Sequence, residues 1–193
     1  GATNNVQVHA AFEPILSDVA FLIDCAVHQV DRQLASSIVK EIRIGNRPIS
    51  ADTFPLIGET SLSGLWIVTG TYRDGFLMAP LLAKLIYDSI TSGNSEVRGG
   101  EMFAPERPPL RCASHHTAID ESIENYVAIA FERGTRLPAV GYWEDDFRNE
   151  IERRVRGIYA NFGPEYIVPP DFLWDIEKNG LLSFFQKYYE KNK

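Results

Sequence analysis

Cysteine, methionine and tryptophan are scarce in this chain, and long apolar runs are missing. Its 193 residues include 2 Cys, 2 Met and 3 Trp. Cys25 and Cys112 lie far apart, with neither C-x-x-C nor Cys/His ligand spacing. That excludes a disulfide-built scaffold and predicts a reduced, cytoplasmic protein. Asp24, His28, Lys84 and Asp88 interrupt the longest apolar stretches, which fall short of the roughly 18 to 20 residues that span a bilayer, so no membrane segment is expected. Positive charge is the minority: 19 Lys+Arg against 26 Asp+Glu give a net charge of −7, which argues against nucleic acid as a partner. The sequence shows no internal repeat and no low-complexity tract.

What is present suits a folded protein. Hydrophobic residues make up 45% and charged residues 23%, the proportions of one good-sized domain or two small ones. The opening Gly1-Ala2-Thr3-Asn4-Asn5 has neither Met nor the basic and apolar regions of a targeting segment. The expectation is an internal starting point, with the chain the C-terminal piece of something larger.

Apolar spacing predicts an amphipathic helix over Glu13–Val30 with Pro14 in its first turn, and a second helical turn at Asp31–Ala35. The β-branched run Ile38–Ile44 predicts a strand. Gly45-Asn46-Arg47-Pro48 then bends the chain, and Pro48 pushes Arg47 toward an extended conformation. An ordered loop follows, with a short strand at Phe54–Ile57. Leu65–Thr69 carries no charge and predicts a strand buried on both faces. Helical spacing resumes over Asp74–Ile90 and stops at Thr91-Ser92-Gly93. The Gly- and Pro-rich stretch 93–117 predicts a linker. Beyond it, helices are expected over Ile119–Phe131, over Trp143–Tyr159, and over the pair Asp171–Lys178 and Leu181–Tyr189. Acidic residues open the second of these and Arg153, Arg154 and Arg156 close it, as the helix dipole favours.

The segment Leu65–Pro80 carries the most chemistry. A strand delivers the chain to Gly70, a turn with Gly75 lets the backbone approach a ligand, and the following helix points free N–H groups at it. That arrangement suits an anion or an electron-rich ring. Taken alone, the pattern is also that of an ordinary strand–turn–helix with a surface Arg73.

Upstream stands Gly45-Asn46-Arg47-Pro48-Ile49-Ser50-Ala51-Asp52-Thr53-Phe54-Pro55-Leu56-Ile57-Gly58. The two blocks together resemble the C-terminal signature of the FAD-dependent amino-acid and amine oxidases of the D-amino-acid oxidase and glycine oxidase family. There, G-x-R-P-x-x-x-D-x-x-P-x-I-G precedes a short strand, G-x-x-[RN]-x-G-[IF]-x-x-[AG]-P and a helix. Gly1-Ala2-Thr3 is similar to the family's G-A-T strand end, and Phe103-Ala104-Pro105-Glu106-Arg107 to its F-x-P-x-R.

The resemblance implies that Arg47 and Arg73 bind the substrate carboxylate, for which paired guanidinium forks are suited. It places Gly70, Tyr72, Asp74, Gly75, Phe76 and Leu77 under the flavin of FAD, where a positive helix end stabilises negative charge on the reduced ring. Substrate orientation is then the protein's main task, and no side chain need act as acid or base. An amine or amino acid is the implied substrate. The fold class expected is α+β: an incomplete substrate- and FAD-facing portion of short strands and helices over 1–92, the linker 93–117, and an α-helical C-terminal region over 118–193.

Two departures accompany the resemblance. No G-x-G-x-x-G follows a strand, so the turn that holds the FAD pyrophosphate is not in this sequence. A missing N-terminal FAD-binding half is therefore an implied partner, and the fragment alone is expected to be inactive. Asp74 also stands where many members have a neutral residue. His115-His116 lacks a third ligand at useful spacing, so no metal site is expected. The aromatic residues Phe172, Trp174, Phe184, Phe185, Tyr188 and Tyr189 read as core of the C-terminal helices. The alternative is a non-catalytic fragment whose helical tail is a protein-interaction module, or a contact between copies of the chain.

Overall fold

The computed structural model describes residues 5–93, 100–109, 111, 114–132, 134–138, 141–178 and 180–192. The Gly1-Ala2-Thr3 match and Cys112 lie outside them. The described residues form a mixed α+β structure. Helix α1 spans Leu16–Cys25 and runs into a π-helical turn, Ala26–Val30, and a 3-10 turn, Arg32–Ser36. Strands β1 (Leu56–Glu59) and β2 (Trp66–Thr69) pair antiparallel, with Leu56 opposite Thr69 and Glu59 opposite Trp66. Helix α2 follows over Gly75–Ser92, then a 3-10 turn at Gly100–Phe103, and finally α3 (His115–Glu132), α4 (Trp143–Tyr159), α5 (Pro170–Leu173) and α6 (Leu181–Lys191).

Most of the burial lies in the last four helices. One face each of α3 and α4 contributes Ile119, Ile123, Tyr126, Ile151, Val155 and Ile158 to a single core, closed by Phe172 and Leu173 of α5 and Leu181, Phe185 and Tyr189 of α6. These positions follow the helical spacing of the sequence, so each helix hides one stripe and keeps its charges outside. The Tyr159 hydroxyl stays satisfied inside, 3.0 Å from Ser122 Oγ. Phe172, Phe185 and Tyr189 are core residues, and the tail aromatics therefore form no continuous exposed sheet. The core also takes in Val6 and has Ile49 and Ala51 packed against it, so the helical region is joined to the N-terminal portion by shared apolar contacts. A second, smaller core sets Ile57 of β1 against Leu82 of α2, with Trp66, Met78, Leu85, Ile86 and Phe103 around it.

Several expectations need correction. Ile38–Ile44 forms no strand, because no neighbouring chain offers it a ladder among the described residues, and Ile38 is 88% exposed. The strand expected at Leu65 starts at Trp66 and is not covered on both faces: β2 lies in a two-stranded sheet, and Val68 is exposed. The first short strand is displaced to Leu56–Glu59. The first helix begins at Leu16, after Pro14, and no residue of α1 is fully buried, although Val19 and Leu22 are half-buried. Helix α3 starts at His115, inside the expected linker. The helix expected over Asp171–Lys178 is a single turn, Pro170–Leu173, followed by turns. Among the described residues no helix is long and apolar enough to cross a membrane.

The two halves should respond differently to truncation. Phe185→Ala opens a hole in the packed helical core and is expected to lower the unfolding free energy by ~3–5 kcal/mol. Leu16→Ala, at an exposed position of α1, should change it by less than ~0.5 kcal/mol. Urea denaturation of the three proteins checks the contrast.

Candidate functional site

The loop from Gly45 to Pro55 is held largely by polar contacts to segments distant in sequence. The Asn46 side-chain amide pairs with one peptide edge: Ala11 N–H donates to Asn46 Oδ1 at 2.9 Å, and Asn46 Nδ2 donates to the Ala11 carbonyl at 2.8 Å. Pro48 has no N–H to give, but its carbonyl accepts from Tyr72 N–H at 3.2 Å, and Ile49 makes an antiparallel bridge to Thr71. The chain after Arg47 is thereby tied to the chain before Arg73.

The loop's far end is held by a buried ion pair. Arg107 Nε and Nη2 donate to Asp52 Oδ2 and Oδ1 at 2.5 and 2.6 Å, a bidentate arrangement. The remaining guanidinium hydrogens reach the carbonyls of Pro55, Ala104 and Phe54 at 3.1, 3.0 and 2.8 Å. Ser50 Oγ and Phe54 N–H lie 2.9 and 3.1 Å from Asp52 Oδ1. Burial disfavours the Asp52 carboxylate. The hydrogen bonds from Arg107 and Ser50 together with the Arg107 charge outweigh it, so the group titrates below the usual aspartate range.

Two glycines fix the turn between β2 and α2. Gly70 has φ +72°, and a Cβ there would also meet Leu56 N at 3.5 Å. At Gly75 a Cβ would come within 2.6 Å of Thr71 Oγ1, so a side chain cannot enter without shifting the turn. Between them Tyr72 adopts φ +48°, a left-handed conformation uncommon outside glycine.

A cavity of about 620 Å³ opens beside this turn. Arg47, Tyr72 and Arg73 line it together with Val6, His9, Arg43 and Ile49. The Arg73 guanidinium sits 5.4 Å from the Tyr72 ring centre. Arg43 is paired with Glu41 at 2.7 Å, whereas Arg47 and Arg73 make no ion pair among the described residues.

The other sequence-predicted positions do not line the cavity. Gly70, Asp74, Gly75, Phe76 and Leu77 form the adjoining turn and the start of α2. Asp74 is the N-cap residue, but its side chain accepts no capping hydrogen bond. Its carbonyl accepts from Met78 N–H at 2.8 Å. Phe76 and Leu77 protrude from the first turn, 99% and 81% exposed. Pro80, the sixth helical residue, lacks the N–H that the Phe76 carbonyl would otherwise accept.

The sequence reading passed over Asn46, Ile49 and the Asp52–Arg107 pair. Asp52 and Arg107 each stood in a quoted motif, and the partnership across 55 residues is what those motifs have in common. His115 and His116 are occupied separately, His115 Nδ1 at 2.9 Å from the Pro164 carbonyl and His116 Nδ1 at 2.8 Å from Asp120.

Residues 1–89 match the family model described as FAD dependent oxidoreductase. This segment is similar to the FAD-dependent oxidoreductase family. The chain is also similar to the bifunctional protein ThiO/ThiG of Trichormus variabilis, 38% identical over 64 residues, which are 33% of this chain and 10% of that protein. A D-amino acid dehydrogenase of Neisseria gonorrhoeae is 36% identical over 58 residues, 30% of this chain and 14% of that protein. The matched segments thus span only about a tenth to a seventh of these relatives.

The start of α2 fits the family's FAD. Gly75 keeps the turn free of any side chain, the Asp74 carboxylate leaves the first-turn N–H groups uncapped, and Phe76 and Leu77 offer bare apolar surface beside them. Uncapped donors next to apolar side chains suit the polar edge and flat face of an isoalloxazine ring.

Acid should act on this loop through Asp52. Because its folded pKa is lowered, the ionised carboxylate adds stability above the usual aspartate value near ~3.9, and that contribution fades as pH falls through and below it. Arg107→Leu leaves a buried carboxylate without its partner and is expected to cost ~3–5 kcal/mol at neutral pH. Urea unfolding at pH 7 and pH 3 should show the difference between wild type and Arg107→Leu shrinking in acid. An undiminished difference would contradict the assignment.

Proposed function

We propose that this chain forms the substrate-carboxylate and flavin-facing part of an FAD-dependent oxidoreductase that oxidises an amino acid or amine by hydride transfer. The observation that carries this reading is the convergence of Arg47 and Arg73, both without an ion-pair partner among the described residues, on one cavity beside the turn into α2. Two guanidinium groups lining one cavity can offer a carboxylate four or more N–H donors and hold it in one orientation. The family match of residues 1–89 and the likeness to a D-amino acid dehydrogenase favour an amino acid.

Oxidation removes the substrate Cα–H of the neutral amine as a hydride and leaves an iminium ion, which water hydrolyses to a carbonyl compound and ammonium. FAD, when bound, supplies the hydride acceptor. Arg47 and Arg73 anchor the carboxylate, so that the Cα–H can face in one direction. Tyr72 lies between the arginines' cavity and the helix start. The first-turn N–H groups of α2, with Gly70, Asp74, Gly75, Phe76 and Leu77 shaping their surroundings, would hold the flavin ring of FAD at a helix end that favours negative charge. No side chain is assigned as acid or base.

An FAD-binding half completes the site as a further polypeptide segment. Its contact surface is the apolar face left open by α1, residues 38–44 and the start of α2. Exposed large apolar side chains of this kind suit an interaction site. Alone, the chain is expected to bind FAD weakly and to be inactive. The packed state of the aromatic residues in α5 and α6 supports an accessory helical unit over a free interaction module.

Steady-state kinetics of the intact polypeptide test the arginine assignment. Arg47→Leu is expected to raise KM for a carboxylate-bearing amino acid by roughly 10- to 100-fold, the worth of one charge-assisted contact, with flavin content unchanged. Unaltered KM would remove Arg47 from the site.

A further inference from the structure

The helical region α3–α6 lies outside the matched family segment, yet its core reaches the cavity wall. Val6 and Ile49 line the cavity, and both also belong to the packing around the helical core. Ile49 occupies a particular place. It stands two residues after Arg47, its backbone bridges Thr71, and Thr71 stands two residues before Arg73. A displacement of Ile49 therefore moves both arginine-bearing segments.

Asp175 secures the same junction from the other side. It follows α5 by two residues and is 2% exposed, and its Oδ2 accepts the Val6 N–H at 3.2 Å across 169 residues of sequence. Val6 itself is buried. A buried carboxylate that accepts a backbone N–H fixes that segment's position closely, because losing the acceptor leaves the donor unpaired. Ala51, next to Asp52 in the same loop, also packs against the helical core, so the helical unit meets this loop at more than one residue.

We infer that the C-terminal helical unit is a positioning element for the arginine pair, with Asp175 and Ile49 as the residues through which it sets the backbone of Arg47 and Arg73. The inference gives a role to the core contacts that a helical region without a place in the family match shares with this segment. Its bearing on catalysis rests on the reading of Arg47 and Arg73 as carboxylate ligands, whereas the geometric part does not.

Amide hydrogen exchange on the full chain tests it without any ligand. The reporter is the Tyr72 N–H, which donates to Pro48 across the junction, and the control is the Met78 N–H, which donates to Asp74 inside the start of α2. Asp175→Leu is expected to accelerate exchange at Tyr72 at least tenfold relative to Met78. Asp175→Asn, whose amide oxygen can still accept from Val6, should restore the wild-type ratio. Ile49→Ala leaves Asp175 in place and should reproduce the selective loss even where Asp175→Leu fails to fold.

Equal acceleration at both amides, or none at Tyr72 in Ile49→Ala, would overturn the inference. A titration with propionate separates this from the arginine assignment. Selective exchange at Tyr72 together with a propionate affinity that Arg47→Leu leaves unchanged would keep the positioning role and refute the carboxylate site.

Discussion

One guanidinium organises the N-terminal portion of this protein. Arg107 is almost entirely withdrawn from water, and every one of its nitrogens is hydrogen-bonded to the turn that contains Asp52 or to the Ala104 carbonyl. A charge so buried is tolerated only with this degree of pairing. The pair closes the turn from Ser50 to Pro55, and that turn aims the chain in two directions. Backward it leads to Ile49, Pro48 and Arg47; forward it leads into β1, whose partner β2 delivers Gly70 and the Tyr72–Arg73 turn. Both arginine-bearing segments lead away from a turn closed by this ion pair, whose partners are 55 residues apart.

Around that pair the chain divides its labour. The small sheet and α2 bury few residues and leave large apolar side chains open, while the helical region holds most of the interior. A site whose own scaffold is thin gains rigidity from a neighbour that packs well. Val6, Ile49 and Ala51 are the points where this support enters, and Val6 and Ile49 border the cavity. The open face along α1 has the opposite character, with apolar side chains and no interior of its own.

Local chemistry makes much of this legible in the sequence. Helices α2, α4 and α6 follow directly from apolar residues at three- and four-residue intervals, and Gly93 and Gly134 end their helices with positive φ as glycine permits. What failed was what depends on distant partners. Ile38–Ile44 has the composition of a strand, but pairing requires a neighbour that composition does not report. The two-sided burial expected of Leu65–Thr69 required a wider sheet. Arg47 and Arg73 were readable as candidates because each sits in a patterned turn. Their support from Asn46, Ile49 and Asp175 was not, since those contacts join segments 35 to 169 residues apart or depend on packing. Asp52 and Arg107 were visible singly, each inside a motif, without a local signal that they meet.

Whether the cavity beside α2 serves a flavin-dependent oxidation is tested most directly by anaerobic visible spectroscopy of the intact polypeptide that carries these residues. The protein, supplied with FAD, would be recorded before and after addition of a mixture of amino acids. A bound-flavin spectrum that bleaches on addition is the predicted result. A protein that retains no flavin under these conditions, or a bound flavin that stays oxidised with every amine and amino acid offered, would contradict the oxidoreductase assignment.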